Sequence, residues 1–137
     1  MRVLVDTNVV LDVLLDRRPH SADAAEVFRL IEEGRASGLL CATTITTIDY
    51  LLSQALKRAD ARPLLAQLIR LFDVAPVNRT VIEGAMKSKM NDFEDAVLDH
   101  AAQHSGADVV ITRDTKDFMH AISKVMDPRQ FLVQMKK

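Results

Sequence analysis

Short apolar runs alternate with segments of helical periodicity along the whole chain, and this alternation is the strongest constraint on its fold. The first run, Arg2–Val5, is β-branched and ends abruptly at Asp6, which predicts a buried strand leading into a helix. Further strands are predicted at residues 39–42, 73–77, 108–112 and 124–126. Because strands separated by helices pair in parallel through right-handed crossovers, we expect a three-layer α/β/α arrangement around a short central parallel sheet.

Helices are predicted between these strands wherever apolar residues recur at the spacing i, i+3, i+4 and i+7. The clearest begins near Ser21 and is stopped by Gly34. The others are predicted near residues 7–15, 45–55, 65–72, 81–90 and 93–104, with a last one after Pro128. With 137 residues and 48% hydrophobic content, the chain has the size and composition of a single domain over residues 1–137 with one substantial core.

Charge and cysteine content limit the classes of function. Acidic and basic residues nearly cancel, 19 against 18, so any binding of nucleic acid depends on local charge and on metal rather than on a basic surface. The single Cys41 excludes an internal disulfide and a cysteine-rich zinc site. With no signal-peptide pattern and no apolar run of membrane-spanning length, we expect a cytoplasmic protein that does not associate with membranes.

Four segments are predicted to deliver carboxylates to one place. Asp6 ends the first predicted strand and Asp114 follows the strand at 108–112 by two residues, so both belong at the edge where ligands bind open parallel sheets. Asp92 and Asp95 share one arc of a helix. Asp49 lies beside the apolar stripe of the helix that follows the second strand. The sequence therefore predicts an acidic cluster at the carboxyl edge of the sheet.

Such a cluster indicates a bound cation, because close carboxylates repel one another and are costly to bury without compensation. Hard oxygen ligands favour Mg²⁺ or Mn²⁺. A metal held by Asp6, Asp95 and Asp114 would activate water and neutralise charge on a phosphate, which favours phosphodiester hydrolysis. Asp49 is predicted to help as a ligand or general base.

Other residues near these acids are assigned supporting roles or none. Asn8 and Thr112 are predicted to orient carboxylates or waters by hydrogen bonds. Arg113 and Lys116 are predicted to contact the phosphates of a bound nucleic-acid strand. Phe93 is assigned to the core-facing side of its helix. Solvated helix faces are predicted for the remaining acids of the first two helices, Asp12, Asp16, Asp23, Glu26, Glu32 and Glu33.

The acidic segments resemble the motifs of the PIN-domain family, which includes the VapC-like toxin ribonucleases of bacterial and archaeal toxin–antitoxin pairs. Residues 5–8, Val-Asp-Thr-Asn, resemble the opening motif, and the resemblance makes Asp6 the first metal carboxylate. The segment 43–50 is similar to the place where the family puts its second acid, usually Glu, and here Asp49 occupies the matching position.

The third and fourth motifs follow in the same order. Residues 92–96, Asp-Phe-Glu-Asp-Ala, resemble the third motif, which implies Asp95 as the principal ligand and Asp92 as a variable neighbour. Residues 111–114, Ile-Thr-Arg-Asp, are similar to the closing motif. This implies Asp114 as the fourth acid, with Asp117 as a reserve candidate.

The resemblance covers nearly the whole chain and implies a metal-dependent ribonuclease that uses Mg²⁺ or Mn²⁺. It also implies an RNA substrate, a homodimer and, for a toxin of a type II toxin–antitoxin pair, a cognate antitoxin protein. A non-catalytic RNA-binding or scaffold PIN domain stays open as an alternative. A haloacid-dehalogenase-like phosphatase is disfavoured because it needs a second Asp where this chain has Asn8. A receiver-like phosphoacceptor domain is disfavoured because the paired acids that it needs after the first strand are missing.

Overall fold

The computed structural model describes residues 1–136, in which strands and helices alternate as the sequence predicts. The strands are β1 (Arg2–Val5), β2 (Ser37–Cys41), β3 (Asp73–Ala75), β4 (Val109–Ile111) and β5 (Val125–Met126). The helices are α1 (Thr7–Leu14), α2 (Ser21–Glu32), α3 (Ala42–Ala55), α4 (Arg58–Leu71), α5 (Arg79–Met86), α6 (Phe93–His104) and α7 (Pro128–Met135). A short 3₁₀ turn at Thr115–Phe118 joins β4 to β5. No helix within residues 1–136 is both long and apolar enough to cross a membrane.

The five strands form one parallel sheet in the order β3-β2-β1-β4-β5. Its central strand is β1, in which Leu4 pairs with Leu39 of β2 on one side and with Val110 of β4 on the other. The carboxyl ends of β1 and β4 are joined by a further hydrogen bond, in which the Asp6 backbone N–H donates to the Ile111 carbonyl at 2.9 Å. The predicted parallel sheet is confirmed.

Helices cover both faces of this sheet. Successive side chains of a strand point to opposite faces. Accordingly, Val3 and Val5 pack in a buried cluster with α1, α2, α3, α4 and α7, whereas Leu4 packs in a second cluster with α5 and α6. The structure confirms the three-layer α/β/α arrangement.

Two predicted helices differ from the observed ones in extent. Helix α5 ends at Met86 instead of continuing to residue 90, because the chain must leave the helix for Asp92 to cap the next one. The Ser88 hydroxyl accepts a hydrogen bond from the Met90 backbone N–H at 3.0 Å within this connection. Helix α4 begins at Arg58, well before the predicted start at residue 65. The apolar period begins only after Pro63, which lies inside α4, where proline removes one helical hydrogen bond.

Gly38 of β2 lies where the sheet meets a buried aromatic pair. A Cβ added at Gly38 would come within 2.6 Å of the ring of Phe72, and this ring packs edge-to-face on Phe28 with centroids 5.2 Å apart. The strand has room for a hydrogen atom at this position and for nothing larger.

Substitution of Gly38 by Ala should therefore lower the free energy of unfolding by about 1–3 kcal/mol, the usual cost of overpacking a close-packed core. Urea denaturation measures the change. The control is Ser37→Ala at the exposed preceding position, where a change within about 0.5 kcal/mol is expected. Equal stabilities of the two variants would contradict the packing described for β2.

Candidate active site

Asp6 stands at the carboxyl end of the central strand and is only 7% exposed. One carboxylate oxygen, Oδ1, accepts a hydrogen bond from the Thr7 backbone N–H at 2.7 Å and so caps α1. The other oxygen, Oδ2, accepts a hydrogen bond from the Thr112 hydroxyl at 2.8 Å. An ordinary capping role and a place in the acidic cluster are therefore combined in one side chain.

Asn8 links Asp6 to Asp114. Its amide nitrogen Nδ2 lies 3.4 Å from Asp6 Oδ2, 3.1 Å from Asp114 Oδ2 and 3.1 Å from the Thr112 hydroxyl. The Thr112 hydroxyl also accepts a hydrogen bond from the Asp114 backbone N–H at 3.1 Å. The two carboxylates thus share one donor, and Asn8 and Thr112 occupy the orienting positions predicted for them.

The first turn of α6 brings Asp95 to the same place. Asp92 caps this helix, with its Oδ1 accepting a hydrogen bond from the Asp95 backbone N–H at 2.9 Å. The pKa of Asp95 is raised to about 7, first by burial and then by the negative charges of Asp6, Asp92, Asp117 and Glu94. Asp95 therefore lies within electrostatic reach of acids from two other parts of the chain, Asp6 and Asp117, and of its own helix and helix cap.

Burial also raises the pKa of Asp6. Hydrogen bonds from Thr112 and Thr7 partly offset this shift, while the charges of Asp114 and Glu94 add to it. Among residues 1–136 no lysine, arginine or histidine forms an ion pair with Asp6, Asp95 or Asp114. The negative charge of the cluster is thus left without a cationic side chain to balance it.

Asp49, predicted as the second acid, lies beside an arginine of α4 and forms no hydrogen bond with Asp6, Asp95 or Asp114 among residues 1–136. Its Oδ1 lies 3.6 Å from Nε of Arg62 on α4 and has no hydrogen-bond partner within the described residues. Helix α3 contacts α6 through Thr47, whose hydroxyl donates a hydrogen bond to Oε1 of Glu94 at 3.1 Å. Residues two apart on a helix point about 200° apart, so Thr47 and Asp49 cannot both face α6.

Glu94 is the acid that sequence reasoning missed. It immediately precedes Asp95 and its charge raises the pKa of both Asp6 and Asp95. The only available signal was its place inside the acidic segment 92–96. Its contact with Thr47 depends on how α3 packs against α6. This packing cannot be predicted from a local sequence pattern.

The two candidates for the fourth acid lie against different members of the cluster. Asp114 is bonded to Asn8 beside Asp6, whereas the charge of Asp117, in the 3₁₀ turn, acts on Asp95. Lys116 is exposed and lines a depression together with Asp95 and Asp117.

Two assignments from the sequence are wrong, those of Asp12 and Phe93, and Arg113 has a partner that the sequence did not predict. Asp12, predicted on a solvated face, is fully buried at 0% exposure. Arg113, predicted to contact RNA, points its guanidinium at Asp12, with Nε 2.6 Å from Oδ2. Phe93, assigned to the core, is 52% exposed at the start of α6. For Asp12 and Phe93 the hydrophobic period predicted the helix but not which of its sides is buried in the folded chain.

The acids present fit a hard divalent cation by their chemistry. Carboxylate oxygens are the ligands that Mg²⁺ and Mn²⁺ prefer, and a cation would relieve the repulsion that raises the pKa of Asp6 and Asp95. Within residues 1–136 no three Asp, Glu, His or Cys side chains are grouped closely enough to form a complete protein cage. Mg²⁺ commonly binds through one or two carboxylates and retains several waters, so the donor set suits this ion.

Fold and site together define an α/β domain with a carboxylate cluster at the carboxyl edge of a parallel sheet. The family model for the PIN domain matches residues 2–116, and the chain belongs to this family. Among its curated relatives, Ribonuclease VapC1 of Aquifex aeolicus is 23% identical over 135 residues, covering 95% of this chain and 92% of the relative.

Solved structures share the fold at low sequence identity. One is a chain of VapBC2 from Rickettsia felis in a complex with a fragment of promoter DNA, with a TM-score of 0.72 at 11% identity. The match covers 93% of this chain and 98% of that chain. VapC20 of Mycobacterium tuberculosis, a toxin that cleaves the sarcin-ricin loop, has a TM-score of 0.66 at 14% identity, covering 89% and 98%.

The raised pKa of Asp95 predicts how stability depends on pH in the metal-free protein. Because the pKa in the folded state is about 7, above the ordinary value of 3.8, the stability that this group contributes is present below about pH 4. It is lost as the pH rises through 7. The variant Asp95→Asn should therefore lose less stability than the wild type between pH 4 and pH 8.

Chemical denaturation at several pH values in the presence of a chelator measures this difference. Asp73→Asn, at an exposed position of β3, serves as the matched control and should follow the wild-type profile. Parallel profiles for the wild type and Asp95→Asn would refute the proposed electrostatic coupling.

Proposed function

We propose that this chain is a metal-dependent ribonuclease that hydrolyses RNA phosphodiester bonds, as the toxin of a type II toxin–antitoxin pair. The observation that carries the proposal is the buried Asp6, which shares the Asn8 amide with Asp114 and is electrostatically coupled to Asp95. These acids come from three separate segments and no cationic side chain within residues 1–136 pairs with them. Such an arrangement destabilises the metal-free fold, which favours a functional reason for it.

Asp6, Asp95 and Asp114 are the residues that would hold Mg²⁺ or Mn²⁺. When bound, the ion supplies an activated water and positive charge for the scissile phosphate. Asn8 and Thr112 fix the orientation of the Asp6 and Asp114 carboxylates through their hydrogen bonds. Asp92 sets the position of the Asp95 backbone by capping α6.

Glu94 takes the place proposed from the sequence for Asp49. The Thr47 hydroxyl orients its side chain from α3, and its charge acts on both Asp6 and Asp95. In this position it orients the attacking water or accepts its proton. Asp49 instead forms a partly exposed ion pair with Arg62 of α4, which contributes at most about 1 kcal/mol to stability.

RNA would approach the exposed side of the cluster. Lys116 lines the same depression as Asp117 and Asp95. It forms no ion pair with any of residues 1–136. It is placed to contact a phosphate. The relatives named as a VapC ribonuclease and as a toxin that cleaves the sarcin-ricin loop support an RNA substrate. A cytoplasmic site of action agrees with such a target.

A cognate antitoxin is proposed as the partner protein. The support comes from solved relatives, among which VapBC2 of Rickettsia felis is a toxin–antitoxin complex bound to promoter DNA. A homodimer of this chain is proposed from family membership alone.

A non-catalytic RNA-binding PIN domain is the second candidate. It is favoured by one observation, that no group of three acids within residues 1–136 forms a complete metal cage. An assay of RNA cleavage, with binding measured in parallel, separates the two candidates because only an enzyme turns the substrate over.

The first prediction of the enzyme hypothesis concerns Asp6. The wild type should cleave RNA with Mg²⁺ or Mn²⁺ and not with a chelator, and Asp6→Asn should abolish cleavage while remaining folded. The fold should survive because Asn keeps an oxygen that can cap α1. Cleavage is followed on labelled RNA and folding by circular dichroism. Undiminished cleavage by the folded Asp6→Asn variant would refute the site assignment.

A second prediction compares Glu94 with Asp49. Glu94→Gln should lower kcat by about 10²-fold or more, the usual contribution of a general base, whereas Asp49→Asn should leave kcat unchanged and lower only the melting temperature. Single-turnover cleavage rates and thermal denaturation measure the two effects. The reverse pattern would restore Asp49 as the second acid.

A further inference from the structure

A second buried carboxylate lies directly behind the acidic cluster. Asp12 is four residues after Asn8 on α1, so the two side chains lie on the same face of the helix. At 0% exposure it is as inaccessible as any core residue. Burying an ionised carboxylate is costly unless it is paired and hydrogen-bonded, so its partners are informative.

Two arginines supply the pairing. Nε of Arg113 lies 2.6 Å from Asp12 Oδ2 and Nη2 of Arg113 lies 3.2 Å from Oδ1. Nε of Arg17 lies 2.9 Å from Oδ1. The contact with Arg113 is a two-point, charge-assisted interaction, which fixes geometry as well as contributing energy. Because Arg113 stands between Thr112 and Asp114, this pair fixes α1 to the segment that carries the fourth acid.

Both arginines also bond to Asn8. The Arg113 backbone N–H donates to Oδ1 of the Asn8 amide at 3.2 Å, and Nη2 of Arg17 donates to the Asn8 backbone carbonyl at 2.9 Å. Because Oδ1 is occupied by the Arg113 N–H, the NH₂ end of the amide must face the other way. That end is the donor shared by Asp6 and Asp114.

We propose that Asp12 is a positioning residue of the active site, which acts through Arg113 and Asn8 to hold Asp6 and Asp114 in the orientation that binds metal. The effect of Asp12 on catalysis rests on the proposed function. The salt bridge between Asp12 and Arg113 determines the metal affinity of the site. It also assigns Arg113 to the framework of the site instead of to the RNA.

The geometry explains why Arg113 is a poor candidate for a phosphate ligand. Two of its guanidinium nitrogens are already directed at Asp12, and the side chain is only 27% exposed. If Arg113 nevertheless bound RNA, removing the charge of Asp12 would release the guanidinium for the phosphate. A positioning role thus predicts an unchanged KM for RNA in Asp12→Asn, whereas a phosphate-binding role predicts a lower one.

The test uses Asp12→Asn and Arg113→Lys in the full chain, with Mn²⁺ alone as the probe of the site. Direct Mn²⁺ binding is measured by electron paramagnetic resonance, and kcat and KM for RNA are measured separately. Asp99→Asn is the matched control, because Asp99 is an equally buried carboxylate that accepts hydrogen bonds from the Ile122 and Ser123 backbone instead. Melting temperatures report the structural cost of each variant.

Asp12→Asn and Arg113→Lys should each weaken Mn²⁺ binding by about 10- to 100-fold, the usual effect of losing an outer partner of a metal ligand. At subsaturating metal kcat should fall with KM for RNA unchanged, and excess Mn²⁺ should restore it. Asp99→Asn should lower the melting temperature without changing Mn²⁺ binding. If Asp12→Asn does not fold, Arg113→Lys still tests the proposal, since Lys retains the charge but not the two-point contact.

Wild-type Mn²⁺ affinity in a folded Arg113→Lys or Asp12→Asn variant would overturn the proposal. A lower KM for RNA in Asp12→Asn, combined with a higher KM in Arg113→Lys, would also overturn it. A wild type that binds Mn²⁺ without cleaving RNA would refute the proposed ribonuclease while the binding data still decide the role of Asp12. A wild type that does not bind Mn²⁺ at all would overturn both.

Discussion

The burial of Asp6 at the end of the central strand is the constraint on which the rest of the site depends. Strand β1 is paired on both sides, and Asp6 follows it into a place where water has little access. Such a carboxylate requires hydrogen bonds for both oxygens. Thr7 and Thr112 provide them, and Asn8 in turn joins Thr112 to Asp114. The need to satisfy one buried group thus determines which neighbours assemble around it.

Asp6 and Asp12 are both buried carboxylates near the start of the chain, but they differ in their charged neighbours. Asp12 is paired with Arg17 and Arg113, whereas the pKa of Asp6 is raised first by burial and further by the charges of Asp114 and Glu94. A purely structural carboxylate is expected to resemble Asp12, because an unpaired buried charge costs stability. The contrast agrees with the proposed metal site at Asp6, where a bound cation would supply the positive charge that arginines supply to Asp12.

Sequence patterns were sufficient for the fold and for the segments of the site, but not for every side chain. The alternation of strands and helices gave the parallel sheet, and the positions of Asp6 and Asp114 after strands placed both at one edge. The sequence pattern shows which residues of a helix share a side, but not which neighbouring helix that side meets. Asp49 was therefore assigned to the site although Thr47 faces α6. The burial of Asp12 was missed because its partner Arg113 is 101 residues away.

The central claim is that Asp6 and the acids beside it bind a divalent cation. The most direct test is a crystal structure of the protein grown with Mn²⁺, with data collected to reveal the anomalous scattering of manganese. We expect an anomalous peak within coordination distance of the Asp6 carboxylate, with Asp95 or Asp114 as a second protein ligand and water completing the shell. A structure in which Asp6 is ordered, Mn²⁺ is present in excess and no peak lies beside Asp6 would contradict it.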